Sequence, residues 1–188
     1  MRFIFLGDYI DRGPASRGVV TLLMEMQRDS PHEVICLRGN HDAMVVAAAI
    51  EGAETEAWWL ENRGGATLAS YGVAHASELP AAHLQWFAGL GYCHDDGRRY
   101  FVHAGVRPGV PLGQQSDEDR IWIREPFLSS SDWFGRLIVH GHTPVRTGKP
   151  DVRPNRINLD TAAVYGGPLA AAVFNDAQTE PLAFLVDS

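Results

Sequence analysis

Phe3-Ile-Phe-Leu-Gly-Asp-Tyr-Ile-Asp-Arg-Gly13 decides how this chain reads. A short apolar strand, Phe3–Leu6, runs into Gly7, and two carboxylates and an arginine follow at once. Open α/β sheets collect their ligands outside the carboxyl ends of strands, so Asp8, Asp11 and Arg12 stand where such a site forms. Carboxylate oxygens hold a cation and a guanidinium fork clamps phosphoryl oxygens, so this trio suits metal together with phosphate. Taken alone, the stretch is equally a turn carrying a surface Asp–Arg pair. The rest of the chain separates the two.

Working outward, Val19, Leu22, Leu23 and Met26 fall at i, i+3, i+4 and i+7, which predicts an amphipathic helix over 16–29. Glu33–Leu37 is a continuous apolar run, as expected of a strand buried on both faces. Strand, helix and strand make a βαβ unit with a right-handed crossover. The second strand also ends in a glycine and ligand-type side chains, Arg38-Gly-Asn-His-Asp42.

Residues 43–92 read as a helical insertion beside the sheet: Ala43–Glu51, Glu54–Asn62, Ala66–Tyr71 and Leu79–Leu90, with Trp58 and Trp59 assigned to core packing. Arg99–His103 is a third strand, followed by Ala104-Gly105. A polar loop, Pro108–Asp119, leads into Ile121-Trp-Ile-Arg124. Arg136–His140 is a fourth strand ending in Gly141-His-Thr-Pro144, and Arg156–Asp160 a fifth. Pro168–Phe174 and Pro181–Val186 then read as a terminal hairpin.

At 188 residues, 45% apolar and 21% charged, the chain is expected to be one globular domain spanning 1–188. A net charge of −7 and the lack of a Lys/Arg-rich run argue against nucleic acid as a partner. Cys36 and Cys93 lack CxxC spacing and read as buried apolar residues. Phe3–Leu6 is too short for a signal peptide or a membrane span, so no membrane partner and a cytoplasmic location are expected.

One grammar recurs: apolar strand, small residue or close equivalent, metal-type side chain. It delivers Asp8, Asn40, His103 and His142. Oxygen from Asp and Asn with nitrogen from two histidines suits Mn, Fe or Zn better than Ca. If Asn40 faces the metal, its neighbour His41 can lean over the substrate, with Asp11 fixing the imidazole tautomer. A single histidine has a bland structural explanation; four ligand types at strand ends do not share one.

Gly7-Asp-Tyr-Ile-Asp-Arg-Gly13, Gly39-Asn-His-Asp42, His103-Ala-Gly105 and Gly141-His-Thr143 resemble the successive motifs of the calcineurin-like metallophosphoesterases. Asn62-Arg-Gly-Gly-Ala-Thr-Leu68, Ser70-Tyr-Gly72 and Trp122-Ile-Arg124 resemble the bacterial phosphoprotein (serine/threonine) phosphatase branch. The resemblance implies an α/β fold, a β-sandwich flanked by helices in α-β-β-α layers. It implies a phosphomonoesterase acting on a phosphorylated protein or a small phosphoester, with two divalent ions (Mn, Fe or Zn). Asp8 would bridge the metals, and Asn40, His103 and His142 would complete one of them. Water activated by the ions would attack phosphorus in line. His41, paired with Asp11, would be the general acid, while Arg12, Asn40 and Arg124 would hold phosphate. Asn158-Leu-Asp-Thr-Ala162 matches a family segment read as structural. Relatives of this fold also hydrolyse diadenosine tetraphosphate, the alternative activity.

The same resemblance implies an upstream strand ending in Gly-Asp-x-His-Gly, which these 188 residues do not contain. The fold is therefore expected to miss its first strand, and one metal site to be weak or lost. Two explanations follow: a fragment or misassigned start of an ordinary phosphatase, which is favoured, or an impaired relative that only binds metal or phosphate.

Overall fold

The computed structural model describes residues 1–187, which form two compact units, 1–91 and the residues from Tyr92 onward. The first contains β1 (Arg2–Phe5), α1 (Ser16–Asp29), β2 (Glu33–Cys36), α2 (Asn40–Glu51), α3 (Ala53–Glu61), α4 (Gly65–Tyr71) and α5 (Ala81–Gly89). β1 and β2 pair in parallel, Arg2 opposite Glu33 and Phe5 opposite Cys36, as the strand–helix–strand pattern requires.

Two expectations fail here. β2 is not buried on both faces: Glu33 is exposed, Val34 and Ile35 are half-buried, and only Cys36 and the following Leu37 are buried. Among the described residues, β2 pairs only with β1, in a two-stranded sheet. The buried stripe of α1 is also rotated. Ser16, Val20 and Leu23 face inward, whereas Val19 and Leu22 are exposed. Ser16 sits beside Thr67 and the Arg17 amide donates to Ser70, so docking on α4 turns the helix to this stripe.

The second unit contains β3 (Cys93–Asp95), β4 (Arg99–Val102), α6 (Asp117–Trp122), β5 (Leu137–His140), β6 (Asp151–Val152) and β7 (Arg156–Asn158), then the hairpin β8 (Ala170–Val173) with β9 (Ala183–Val186). Its five-stranded sheet has the order β3-β4-β5-β7-β6. The three inner strands are parallel, and both outer pairings are antiparallel. Every residue of β4, β5 and β7 is buried, as expected of inner strands of a covered parallel sheet, and the burial includes the polar residues Arg99, His140, Arg156 and Asn158. Tyr100, Val102, Ala104, Val106, Ile123, Phe127 and Ile138 form the core over it.

β3, β6 and α6 were not anticipated. β3 and β6 are too short to carry periodicity. α6 starts where a polar loop was expected, and its signal was present: the Ser116 hydroxyl caps the helix by accepting from the Asp119 amide at 3.0 Å. Among the described residues no helix is long and apolar enough to cross a membrane.

Candidate active site

In the first unit the site begins in the loop after β1, where Asp8, Asp11 and Arg12 all take left-handed backbone angles, with φ of 61°, 69° and 56°. L-residues with side chains enter that region at a cost, so something must hold them there. Two side chains do. The Asp42 carboxylate accepts from the amides of Asp8 (2.8 Å), Gly39 (2.8 Å) and Tyr9 (3.1 Å). The Thr67 hydroxyl accepts from the Asp11 amide at 2.9 Å. The Tyr9 hydroxyl adds a bond to the Leu37 carbonyl at 2.7 Å, tying the loops after β1 and β2 together.

The helix expected from Ala43 starts three residues earlier, so Asn40, His41 and Asp42 form the opening turn of α2 with Gly39 as its N-cap. This helix start delivers the His41 amide to Asp8 Oδ1 at 3.1 Å. Gly39 has to be glycine, since a Cβ there would collide with the carboxylate and amide nitrogen of Asp8.

The predicted Asp11–His41 pair is formed: Nδ1 lies 2.6 Å from Asp11 Oδ2, and both side chains are almost fully buried. A carboxylate can only accept, so Nδ1 carries the proton in this contact. Two donors not foreseen complete the cluster. The Trp59 indole donates to Asp11 Oδ2 at 2.9 Å, and the Thr67 hydroxyl donates to Oδ1 at 2.6 Å. Trp59 is thus core and polar partner at once. Arg12 is exposed beside them, and Asn40 is buried.

Burial, reinforced by the charge of Asp8, pushes the Asp42 carboxyl up to about 7 against the lowering effect of its three amide donors. Burial likewise pushes the Cys36 thiol up to about 11, so it is an inert core group.

In the second unit, His103 follows β4 and His142 follows β5 after one glycine. Their rings meet edge-on at 5.1 Å between centroids, and their nitrogens come within 4.8 Å, a spacing from which two imidazoles can reach one ion. The Gly141 amide donates to the His103 carbonyl at 2.8 Å. Asn158 donates its carboxamide to the Thr143 carbonyl at 2.8 Å, pinning the His142 loop in line with its structural reading. Trp122 packs edge-on to His142 at 6.0 Å, and Arg124, two residues on, is exposed.

His140 lies beneath, fully buried against Phe127 at 4.9 Å. Burial, aided by the Arg156 charge, drives its imidazole down to about 3. The unfolded chain takes this proton near the ordinary histidine value and the folded chain does not, so the stability is complete above that value and drains away as pH falls through it. Between pH 7.5 and 5.5 this should remove about 1.4 kcal/mol. Urea midpoints of His140→Gln should fall less over the same interval than those of the natural chain.

These features coincide with a family model for calcineurin-like phosphoesterases, which matches residues 2–174. The chain belongs to that family. It is 25% identical to a bis(5'-nucleosyl)-tetraphosphatase PrpE from Anoxybacillus flavithermus, over 95% of this chain and 77% of that protein. It is 30% identical to serine/threonine-protein phosphatase 1 of Salmonella typhimurium, over 90% and 76% respectively. The crystal structure of a candidate diadenosine tetraphosphatase superposes with a TM-score of 0.71 at 21% identity, covering 98% of this chain and 80% of the other. The fold is accordingly the mixed α/β fold of this family, a sheet flanked by helices, and the expected bacterial phosphoprotein phosphatase branch agrees with these relatives. The phosphoesterase is a hydrolase of a metal-dependent family.

Proposed function

We propose that this phosphoesterase hydrolyses phosphomonoesters, with serine/threonine phosphoproteins as its substrate class. The observation that carries the proposal is the buried Asp11–His41 pair at 2.6 Å beside an exposed Arg12 held in a left-handed conformation. An imidazole whose Nδ1 is committed to a carboxylate keeps Nε2 for a proton delivered to the departing oxygen, an effect typically worth ~10²–10⁴-fold. Arg12 and Arg124 hold the phosphate and meet charge as it develops on the phosphoryl oxygens, and Asn40 contributes a neutral donor. A divalent ion bound by Asp8, Asn40, His103 and His142 would supply Lewis-acid polarisation of phosphate and water. The oxygen–nitrogen donor set suits Mn, Fe or Zn, and the approach of the two imidazoles supports it. A second ion would have Asp8 as its only ligand among these assigned residues and bind weakly.

The test is turnover of p-nitrophenyl phosphate and a phosphoserine peptide with Mn²⁺, beside diadenosine tetraphosphate. Diadenosine tetraphosphate is the second reading, favoured by the PrpE relative. Peptide turnover well above that of the dinucleotide supports the proposal, and the reverse order replaces it. Calorimetry should find one tightly held Mn²⁺ per chain; two of equal affinity would refute the weak second site.

Arg12 gives a sharper check. Arg12→Gly relieves a left-handed residue and should raise stability by about 1 kcal/mol. Loss of one charge-assisted contact should cost about ten- to a hundredfold in kcat/KM. Arg12→Ala should lose the same activity without the gain in urea midpoint.

A further inference from the structure

The Asn62-Arg-Gly-Gly-Ala-Thr-Leu68 stretch has no part in the chemistry so far, yet its Thr67 hydroxyl meets Asp11 at both the amide and the carboxylate. We infer that Trp59 and Thr67 are positioning residues that lock the Asp11 carboxylate, and through it the His41 imidazole, in the orientation for proton delivery. This rests on the reading of His41 as general acid and goes beyond it.

The geometry leaves Asp11 no freedom. Its Oδ2 is shared by His41 Nδ1 at 2.6 Å and the Trp59 indole N–H at 2.9 Å. Its Oδ1 accepts the Thr67 hydroxyl at 2.6 Å, and the same hydroxyl oxygen accepts the Asp11 amide at 2.9 Å. Thr67 therefore grips Asp11 by backbone and side chain, at a residue whose φ of 69° would otherwise relax. Rotation of the carboxylate would break bonds to two fully buried partners, Trp59 and Thr67. Such groups are expensive to leave unpaired, so the carboxylate stays put.

Gly64, the first glycine of the motif, has a steric reason to be one. It lies flat against the Trp59 indole, where a Cβ would collide with Cε2 and Cδ2, while its carbonyl accepts the Thr67 amide at 2.9 Å. One glycine thus seats the indole and starts the turn that brings in Thr67. The Ser16 hydroxyl is a second acceptor within reach of the threonine hydroxyl, but at 3.3 Å against 2.6 Å the single hydrogen goes to the Asp11 carboxylate.

The experiment compares Trp59→Phe, Thr67→Val, Thr67→Ser and His41→Ala with the natural chain by two readouts. The first needs no metal: the proton NMR signal of the His41 Nδ1–H, shifted downfield by its carboxylate partner and identified by its loss in His41→Ala. It should broaden or move upfield in Trp59→Phe and Thr67→Val and return in Thr67→Ser. The second is kcat/KM on an alkyl phosphate, whose poor leaving group needs the acid, against 2,4-dinitrophenyl phosphate, whose good one does not. Trp59→Phe and Thr67→Val should lose about ten- to a hundredfold on the alkyl ester and threefold or less on the aryl ester. Equal losses on both esters, or an unmoved imidazole signal, overturn the positioning role. The His41→Ala profile judges the general acid separately: selective loss on the alkyl ester upholds it, and uniform loss removes it. Should Trp59→Phe fail to fold, the isosteric Thr67→Val and its serine rescue decide alone.

Discussion

Gly39→Ala is expected to abolish Mn²⁺-dependent phosphoesterase turnover, by at least ~10²-fold, because a single methyl would occupy the space of Asp8. The added Cβ meets both the Asp8 carboxylate oxygen and the Asp8 amide nitrogen. A flexible side chain could swing away, but a backbone amide cannot, and this one is fastened to Asp42 at 2.8 Å. The loop after β1 must therefore move, and displacing a positioned catalytic group by about 1 Å costs on the order of 10²-fold. Stability should fall by about 2–4 kcal/mol, the range for overpacking joined to a lost buried hydrogen bond. Gly18→Ala is the control: it lies inside α1 with open space where the methyl would go, so it should stabilise by about 0.5–1 kcal/mol and leave turnover unchanged. Turnover and urea midpoints measured side by side check both. A Gly39→Ala chain within threefold of natural activity would show that Asp8 does not depend on this contact.

The contrast between Gly39 and Asp42 marks what could be read from sequence. Strands of largely apolar residues with a glycine just beyond were legible, since burial on both faces and a sharp exit impose a composition that few alternatives share; β5, buried throughout and followed by Gly141, is the clearest case. The Asp11–His41 pair was legible by chemistry, because an imidazole of fixed tautomer needs a carboxylate. What stayed hidden were groups whose role comes from distance in the fold. Thr67 lies 56 residues from Asp11 and Trp59 lies 48, and neither residue type advertises a partner. The stripe of α1 failed for a related reason. Val19-Val20 and Leu22-Leu23 offer two overlapping apolar faces, and only the docking of Ser16 and Arg17 on α4 selects between them.

Asp42 is the other residue whose weight only the fold reveals, and Asp42→Ala should be among the most destabilising substitutions in the first unit. Its carboxylate is the common acceptor for amides from both strand-end loops, and alanine leaves those three N–H groups without it. Each buried amide stranded in this way costs about 1–3 kcal/mol, and some relaxation is unavoidable, so a loss of about 3–5 kcal/mol is expected. Against a typical total of about 5–15 kcal/mol this brings the chain close to unfolding at 37 °C. Asp42→Asn should be milder. A carboxamide oxygen in the Oδ2 position keeps the Asp8 and Gly39 amides, and only the Tyr9 amide then faces an NH₂ group. Asparagine also removes a charge that burial and Asp8 oppose. That relief grows with pH: the carboxyl is raised to about 7 in the folded chain, so ionisation costs stability progressively from the ordinary carboxyl range up to that value. The Asn variant in metal-free buffer should therefore fall furthest behind the natural chain at pH 5 and recover ground by pH 8. Urea midpoints at both pH values give the result, and a deficit that widens toward pH 8 would mean the ionised carboxylate is worth more to its three amides than burial takes away.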